Sequence, residues 1–230
     1  MIVPKVSESE WLNALNSLPA WLPPEKPILV VAPHPDDETL GAGGFIAAQR
    51  SRGIAIHVVA VTDGENAYPD SPNLGKRRRI EQEKALARLN VSNDNIIRLE
   101  LPDSAVCSRE TELAGRLSEL VSENTHVVAP WQGDFHPDHA ACGRAAEQVT
   151  RAKGATLSSY LFWTWHFGDV GLLKNLRLRS FSLPDAWLVA KTEALFQHRS
   201  QLVGSDGQEP ILPELLLAPA RRPFEVFSVS

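Results

Sequence analysis

The sequence predicts an α/β protein: one three-layer, Rossmann-like domain with a mostly parallel sheet and helices on both faces. Three observations carry that expectation. Short apolar runs of strand length alternate along the chain with longer stretches whose apolar residues recur at helical spacing. The clearest run, Ile28–Ala32 (ILVVA), is continuously apolar, as a strand buried on both faces is. The chain has 230 residues and no internal repeat, low-complexity tract or linker that would divide it, so residues 1–230 read as one domain.

The elements follow in order. Residues 7–18 place Trp11, Leu12, Leu15 and Leu18 at helical spacing after a serine that can cap. A proline-rich lead-in then completes residues 1–26 and delivers the chain to the strand at 28–32. Thr39–Arg52 reads as a helix stopped by Gly53, and Ile54–Val61 as a strand. The pattern continues with a helix at 77–89, a strand at 96–101, a helix at 110–121 and a strand at 126–129. A helix at 138–152, a strand at 157–162, a long helix at 185–198 and a last strand at 224–229 complete it.

Composition narrows the function classes. Hydrophobic residues make up 43% of the chain, an ordinary globular content, and no apolar run is long enough to span a bilayer. The N-terminus lacks a basic segment followed by an apolar one, so it does not read as a secretory signal. Cys107 and Cys142 cannot build a disulfide framework or a cysteine zinc site, and a reduced, cytoplasmic protein is expected. With 23 basic and 28 acidic residues the formal charge is −5, which argues against a nucleic-acid partner. The one basic cluster, Lys76–Arg79, reads as a helix face with at least two of its members solvated. The oligomeric state stays open, homo-oligomers included.

In open α/β sheets ligands bind beyond the carboxyl ends of the strands. The unusual residues fall there: four strand ends deliver His34, Asp36, Asp37, Asp63, Asp103, His136, Asp138 and His139 to one rim. In Val30–Gly41 (VVAPHPDDETLG) a buried run breaks into a histidine between two prolines, two aspartates and a glutamate. Burying that much charge is costly unless it is paired or metal-bound. His34, Asp37 and His139 can supply the two imidazoles and one carboxylate of a catalytic zinc site. Pro33 and Pro35 stiffen the loop. Adjacent aspartates at a helix start diverge by about 100°, so one can bind metal while the other faces a substrate. In H136-P-D-H139 the two histidines share one side of a first helical turn; one can ligate while the other stands beside the open position. Asp138 between them can orient an imidazole. Either cluster alone is explained equally well as acids complementing a helix dipole. Two clusters, each directly after a strand, are not.

These residues resemble the PIG-L/LmbE-like N-deacetylase family, in which P-H-P-D-D-E is followed about a hundred residues later by H-P-D-H. Thr62-Asp-Gly-Glu65 is similar to its T-x-G-E turn, Arg78-x-x-Glu81-x-x-x-Ala85-x-x-x-Leu89 to its next helix, and Leu101-Pro-Asp103 to the following loop. Lys191-x-x-Ala194-x-x-x-His198-x-Ser200-Gln201 and Phe224-Glu-Val-Phe227 resemble its C-terminal signatures, so the likeness runs from about residue 28 to the end. Asn90 stands where a glycine is usual, and residues 160–184 match nothing assignable.

The resemblance implies a zinc-dependent hydrolase (Fe2+ or another divalent ion also suits the donors) that removes acetyl from an N-acetylated amino sugar or glycoconjugate. It makes His34, Asp37 and His139 the metal ligands and Asp36 the general base. His136 would hold the oxyanion in its charged form, oriented and kept protonated by Asp138. Arg78 and Asp103 are expected on sugar hydroxyls or phosphate. Trp163 and Trp165, alternating outward from a strand, are expected to offer an apolar face, with His166 a further pocket residue. His57, His126, His198 and Cys142 are expected to be structural. Two other readings stay open: an amidase of a thiol–sugar conjugate on the same scaffold, and a nucleotide-binding module, which Gly41-Ala-Gly43-Gly44 suggests although it lacks the G-x-G-x-x-G spacing. A third, a non-catalytic metal-binding regulator, leaves the retained base and acid pair without a purpose.

Overall fold

Strand β1 (Ile28–Ala32) is buried at every position, and its side chains divide by parity between two separate cores. Ile28, Val30 and Ala32 face one core, which also takes Phe45 and Ile46; Leu29 and Val31 face the other, with Leu113, Leu117, Cys142 and Val149. A strand can serve two cores only if helices cover both faces of its sheet, which is why the run is apolar without alternation. The computed structural model describes residues 2–68, 70–204 and 207–229.

The chain runs α1 (Glu8–Leu15), β1, α2 (Asp37–Ser51), β2 (Ile56–Ala60), α3 (Leu74–Arg88), β3 (Ile96–Arg98), α4 (Glu110–Leu120) and β4 (His126–Pro130). It continues with α5 (Pro137–Lys153), β5 (Thr156–Tyr160), α6 (Thr164–Phe167), β6 (Leu178–Ser182), α7 (Asp185–Leu195), α8 (Arg199–Leu202) and β7 (Phe224–Val229). The seven strands form one sheet in the order β3-β2-β1-β4-β5-β7-β6. The first five are mutually parallel, and β7 pairs antiparallel with both β5 and β6. Strand order therefore reverses between β1 and β4, which lie side by side. That is the switch point at which such sheets open a crevice beyond their carboxyl ends.

The four glycine-rich residues of α2 serve packing, not nucleotide binding. A Cβ on Gly41 would lie 2.3 Å from the Tyr160 ring, and one on Gly44 would lie 2.5 Å from Leu183. The same helix is locked from the C-terminal signature. Lys191 on α7 donates to the Leu40 carbonyl at 3.0 Å and to Glu225 on β7 at 2.7 Å, and Glu225 accepts from the backbone N–H of Gly44 and Phe45. This buried ion pair fixes the helix that begins at Asp37.

Several boundaries differ from expectation. The acids at 37–38 start α2, because a helix N-terminus welcomes negative charge and unpaired acceptors. The strand at 96–101 is regular only over Ile96–Arg98, although Leu99 and Leu101 still donate to Ala60 and Val61, and the helix expected to 198 breaks after Leu195, with His198 opening α8. Residues 160–184 hold three elements that the sequence does not predict: α6, a 3-10 helix at Val170–Asn175 and β6. β6 is a short edge strand, and Trp163 and Trp165 lie at a one-turn helix, so they do not alternate from a strand.

Candidate active site

The two His/Asp clusters meet because β1 and β4 are neighbours. The loop after β1 is pinned where the Pro33 carbonyl accepts from both the backbone N–H and the hydroxyl of Thr62 at the end of β2. His136 caps α5 at the end of the β4 loop. The rings of His34, His136 and His139 then lie 4.9 to 5.6 Å apart, centre to centre. Among the described residues, ligating atoms of these three histidines fall within 4.8 Å of one another, as do those of His34, Asp103 and Asp138.

Carboxylates stand against both nitrogens of His34 and of His139. The Nε2 of His34 lies 3.2 Å from Asp103 and 3.3 Å from Asp138, two carboxylates that can hold its proton when Nδ1 ligates. Its Nδ1 faces Asp37 Oδ2 at 3.1 Å, on the carboxylate that His139 also faces. On His139 the assignment is reversed: Nδ1 donates to Asp134 Oδ2 at 2.9 Å. Its Nε2 lies 3.1 Å from Asp37 Oδ1 without hydrogen-bond alignment and has no other partner. One nitrogen of each imidazole thus faces the same buried carboxylate, an arrangement that a proton or a metal cation between them satisfies. Carboxylate–histidine pairs of this kind hold metal-ligating imidazoles in one tautomer.

Electrostatics agree. Burial alone would depress both imidazoles, yet Asp103, Asp138 and Asp37 hold His34 well above its ordinary value, and Asp37 with Asp134 pushes His139 up to about 9. Asp37 is held far below the carboxylate range against its burial, first by His139 and then by His34. The pocket's field demands positive charge. Two nitrogens and one carboxylate, with no thiolate present, suit zinc or another borderline divalent ion. His34, Asp37 and His139 could hold it.

Asp36 stands apart from this set. Its backbone has φ 146°, a conformation that a side chain makes costly, by about 1–3 kcal/mol, and that recurs at functional sites. Its carbonyl accepts from the N–H groups of Thr39 and Leu40, which locks the strained turn to the start of α2. Its carboxylate lines the central cavity and lies 3.2 Å from Arg78. Burial pushes its pKa to about 7, with Arg78 pulling down and Asp37 pushing up. A carboxylate balanced near neutrality, beside a candidate cation site and facing a cavity, is suited to accept and return a proton. Glu38, the third acid of the run, does not line the cavity and is bonded by Gln82.

Two expectations are corrected. Asp138 does not orient His136: its carboxylate accepts from the backbone N–H of Ser104 and Val106 and faces His34 Nε2. His136 instead accepts the Asp138 N–H at its Nδ1, which places the ring proton on Nε2. Burial and the neighbouring imidazoles push its pKa down to about 4, so it is a neutral donor and not an imidazolium. Asp134 does the orienting that Asp138 was expected to do, for the other histidine of the motif. Fully buried, it also accepts from the backbone N–H of Phe162, Trp163 and Thr164 and from the Thr164 hydroxyl. The sequence signal for it was slight: an aspartate five residues before His139.

The cavity has a volume of about 220 Å³ and is lined by His34, Asp36, Asp37, Asp103 and His136, with Arg78, Gln201 and a set of apolar side chains. Arg78 is buried and committed: it donates to the carbonyls of Pro35 and Gly64 and to Asp36. Its first role is to hold the Asp36 turn. Asp103 lines the cavity but is bonded to His34 and to the Asn66 N–H, which overcome its burial and keep its pKa at about 2. Trp163 lines the cavity, its ring nearly parallel to that of His136 at 6.1 Å.

Trp165 and His166 do not line it. Trp165 packs edge-on against Trp11, donates to the Leu161 carbonyl and lies under Arg222, so it is a core residue. His166 is buried behind Phe162 and Trp163. Asp63 is paired with Arg79 and Arg98 at the rim. Of the basic cluster, Lys76 and Arg77 are exposed. His57 is exposed on β2, His126 bonds Thr156, His198 contacts Thr39, and Cys142 is core, all away from the cavity.

Comparison with known proteins adds an independent finding. The family described as GlcNAc-PI de-N-acetylase (PIG-L) matches residues 29–150, more than half of the chain. A Bacillus subtilis (strain 168) protein named probable N-acetyl-α-D-glucosaminyl L-malate deacetylase 2 is 31% identical over 127 residues, 51% of this chain and 58% of that protein. A Nocardia farcinica protein named 1D-myo-inositol 2-acetamido-2-deoxy-α-D-glucopyranoside deacetylase is 27% identical over 176 residues, 64% of this chain and 59% of that protein. The chain thus spans less than two thirds of either relative. In fold it is similar to the N,N'-diacetylchitobiose deacetylase of Pyrococcus horikoshii, with a TM-score of 0.66 at 22% identity, covering 95% of this chain and 86% of that one. Among the described residues, no helix is long and apolar enough to cross a membrane.

Proposed function

Since the chain belongs to the GlcNAc-PI de-N-acetylase (PIG-L) family, we propose that it is a metal-dependent N-deacetylase, hydrolysing the acetamide of an N-acetylglucosamine-type sugar to a free amine and acetate. One observation carries the reading: His34 Nδ1 and His139 Nε2 converge on Asp37, each held from behind by a carboxylate, directly beside the strained Asp36. His34, Asp37 and His139 are assigned as ligands of a divalent cation, zinc by donor type. Such an ion, when bound, polarises an amide carbonyl and makes water acidic enough to attack near neutral pH.

The remaining chemistry belongs to side chains. Asp36 takes the proton from the attacking water. Arg78 and the fixed turn keep its carboxylate aimed into the cavity. His136, with its proton on Nε2, donates a hydrogen bond to the oxygen on which negative charge develops, one preorganised donor of the kind worth about 10²–10³ in rate. Asp36 then passes its proton to the departing nitrogen, the C–N bond breaks, the amine leaves neutral, and the acetic acid left behind ionises to acetate with its proton going to solvent.

The test joins two measurements. Elemental analysis should find about one equivalent of divalent metal per chain. Incubation with N-acetylglucosamine and its glycosides should release primary amine and acetate in equal amounts. A metal-replete protein that released no amine from any of them would sink the proposal.

A further inference from the structure

We propose that the substrate of this site carries an uncharged, apolar group on its sugar, and that Ile211, Leu212, Phe162 and Trp163 select it; this rests on the deacetylase reading above. One side of the cavity is polar and anionic, bearing Asp36, Asp37 and Asp103. The cavity's apolar lining is formed by Leu40, Phe162, Trp163, Ile211 and Leu212, which pack in one hydrophobic cluster and make a continuous wall. All of these but Leu40 lie outside residues 29–150, the stretch that matches the family. The wall is also anchored. The Ile211 N–H donates to the Tyr68 hydroxyl at 3.0 Å, Tyr68 donates to the Ser200 carbonyl, and the Leu212 N–H donates to the Gln201 carbonyl.

Charge decides what that wall accepts. Among the described residues, Arg78 is the only Lys or Arg lining the cavity; both its terminal nitrogens are engaged by Asp36 and two carbonyls, and only its buried Nε has no partner. A carboxylate or phosphate on the substrate's far end would be desolvated against hydrocarbon and meet no free cation, a costly burial. An aryl or alkyl group would gain the burial that the wall offers.

Three ligands differing only in that group make the test: the methyl, phenyl and 4-carboxyphenyl α-glycosides of N-acetylglucosamine. Their binding to the metal-loaded protein is measured by calorimetry and their turnover by amine release. The phenyl glycoside should bind about three- to tenfold more tightly than the methyl one, and the 4-carboxyphenyl glycoside more weakly than the phenyl. Ile211→Ala should shrink the phenyl-over-methyl ratio, and Ile211→Arg should move preference toward the carboxylate. Equal binding of all three, a preference for the carboxylate in the unaltered protein, or no binding at all overturns the inference. Binding with the expected order but no amine release would leave the subsite standing and remove the deacetylase reading, so the two failures are told apart.

Discussion

Asp134→Asn replaces one oxygen by an isosteric NH2 and tests whether a buried carboxylate sets the tautomer of His139. In the native protein Asp134 Oδ2 accepts from His139 Nδ1 at 2.9 Å and from the Trp163 N–H at 3.2 Å; Oδ1 accepts from the Thr164 N–H and hydroxyl and from the Phe162 N–H. An asparagine can place its carbonyl on only one side. With the carbonyl toward Thr164, its NH2 faces Nδ1, which must then be an acceptor. The ring proton moves to Nε2, the atom assigned to the metal, and the Trp163 N–H is left unpaired. With the amide flipped, His139 keeps its tautomer and the Thr164 N–H is stranded. Either way a buried N–H loses its partner, at about 1–3 kcal/mol. The first arrangement also removes a ligand, and loss of such a supporting carboxylate costs about 10–100-fold in metal affinity, or about 1.4–2.7 kcal/mol. Chelator competition measures the affinity and thermal unfolding the stability. Thr164→Val is the control: it removes one hydrogen bond to Asp134 without facing His139, and should lower Tm while metal affinity holds. If Asp134→Asn keeps both the native metal affinity and the native Tm, or if Thr164→Val weakens metal binding as much as Asp134→Asn does, the tautomer account is wrong.

Four further outcomes follow from the same geometry. Asp36→Asn should retain the metal and lose nearly all amine release, because an amide cannot take the proton; near-native turnover would remove Asp36 as the base. His139→Ala should lose metal and activity together, whereas His136→Ala should keep the metal and slow by about 10²–10³; side-by-side metal analysis and rates would expose an inverted assignment. Lys191→Met leaves Glu225 charged and buried behind α2, and should destabilise the fold by about 3–5 kcal/mol in a denaturant titration, a loss that a shift under 1 kcal/mol would contradict. His126 is buried at the edge of Trp21, where burial pushes its pKa down to about 4, below the ordinary 6.5, with Lys26 adding to the effect. The unfolded chain therefore binds a proton that the folded chain refuses, and stability present above pH 6.5 falls as pH drops toward 4, by up to about 3 kcal/mol. His126→Gln should flatten that part of the pH–stability curve.

The parts of the site that could be read from sequence are those in which chemistry and covalent neighbourhood coincide. An apolar strand, a turn of prolines and acids, and a small-residue helix lie consecutively in residues 28–51, and the fold keeps them consecutive. The switch between β1 and β4 then brings His136–His139 alongside, as the alternation of strands and helices led one to expect. What could not be read is how side chains turn once the segments meet. Asp138 sits between two histidines in sequence, yet at the start of α5 it projects to the loop after β3, where Ser104 and Val106 offer N–H donors. The imidazole it supports is His34, from a different strand. Asp134 is recognisable only through the N–H groups of residues 162–164, which arrive from β5.

Residues 160–184 were illegible for a related reason. Trp163 and Trp165 are two apart, which in a strand would put both on one face. The chain coils after Leu161, so one ring lines the cavity and the other enters the core beside Trp11. The turn responsible is held by Asp134, whose carboxylate accepts the three consecutive N–H groups of 162–164 as a cap would. One buried aspartate thus both supports a candidate ligand and starts the turn that presents Trp163 to the cavity. Damage at Asp134 should therefore reach metal affinity and substrate preference together, whereas damage at Ile211 should reach only the second.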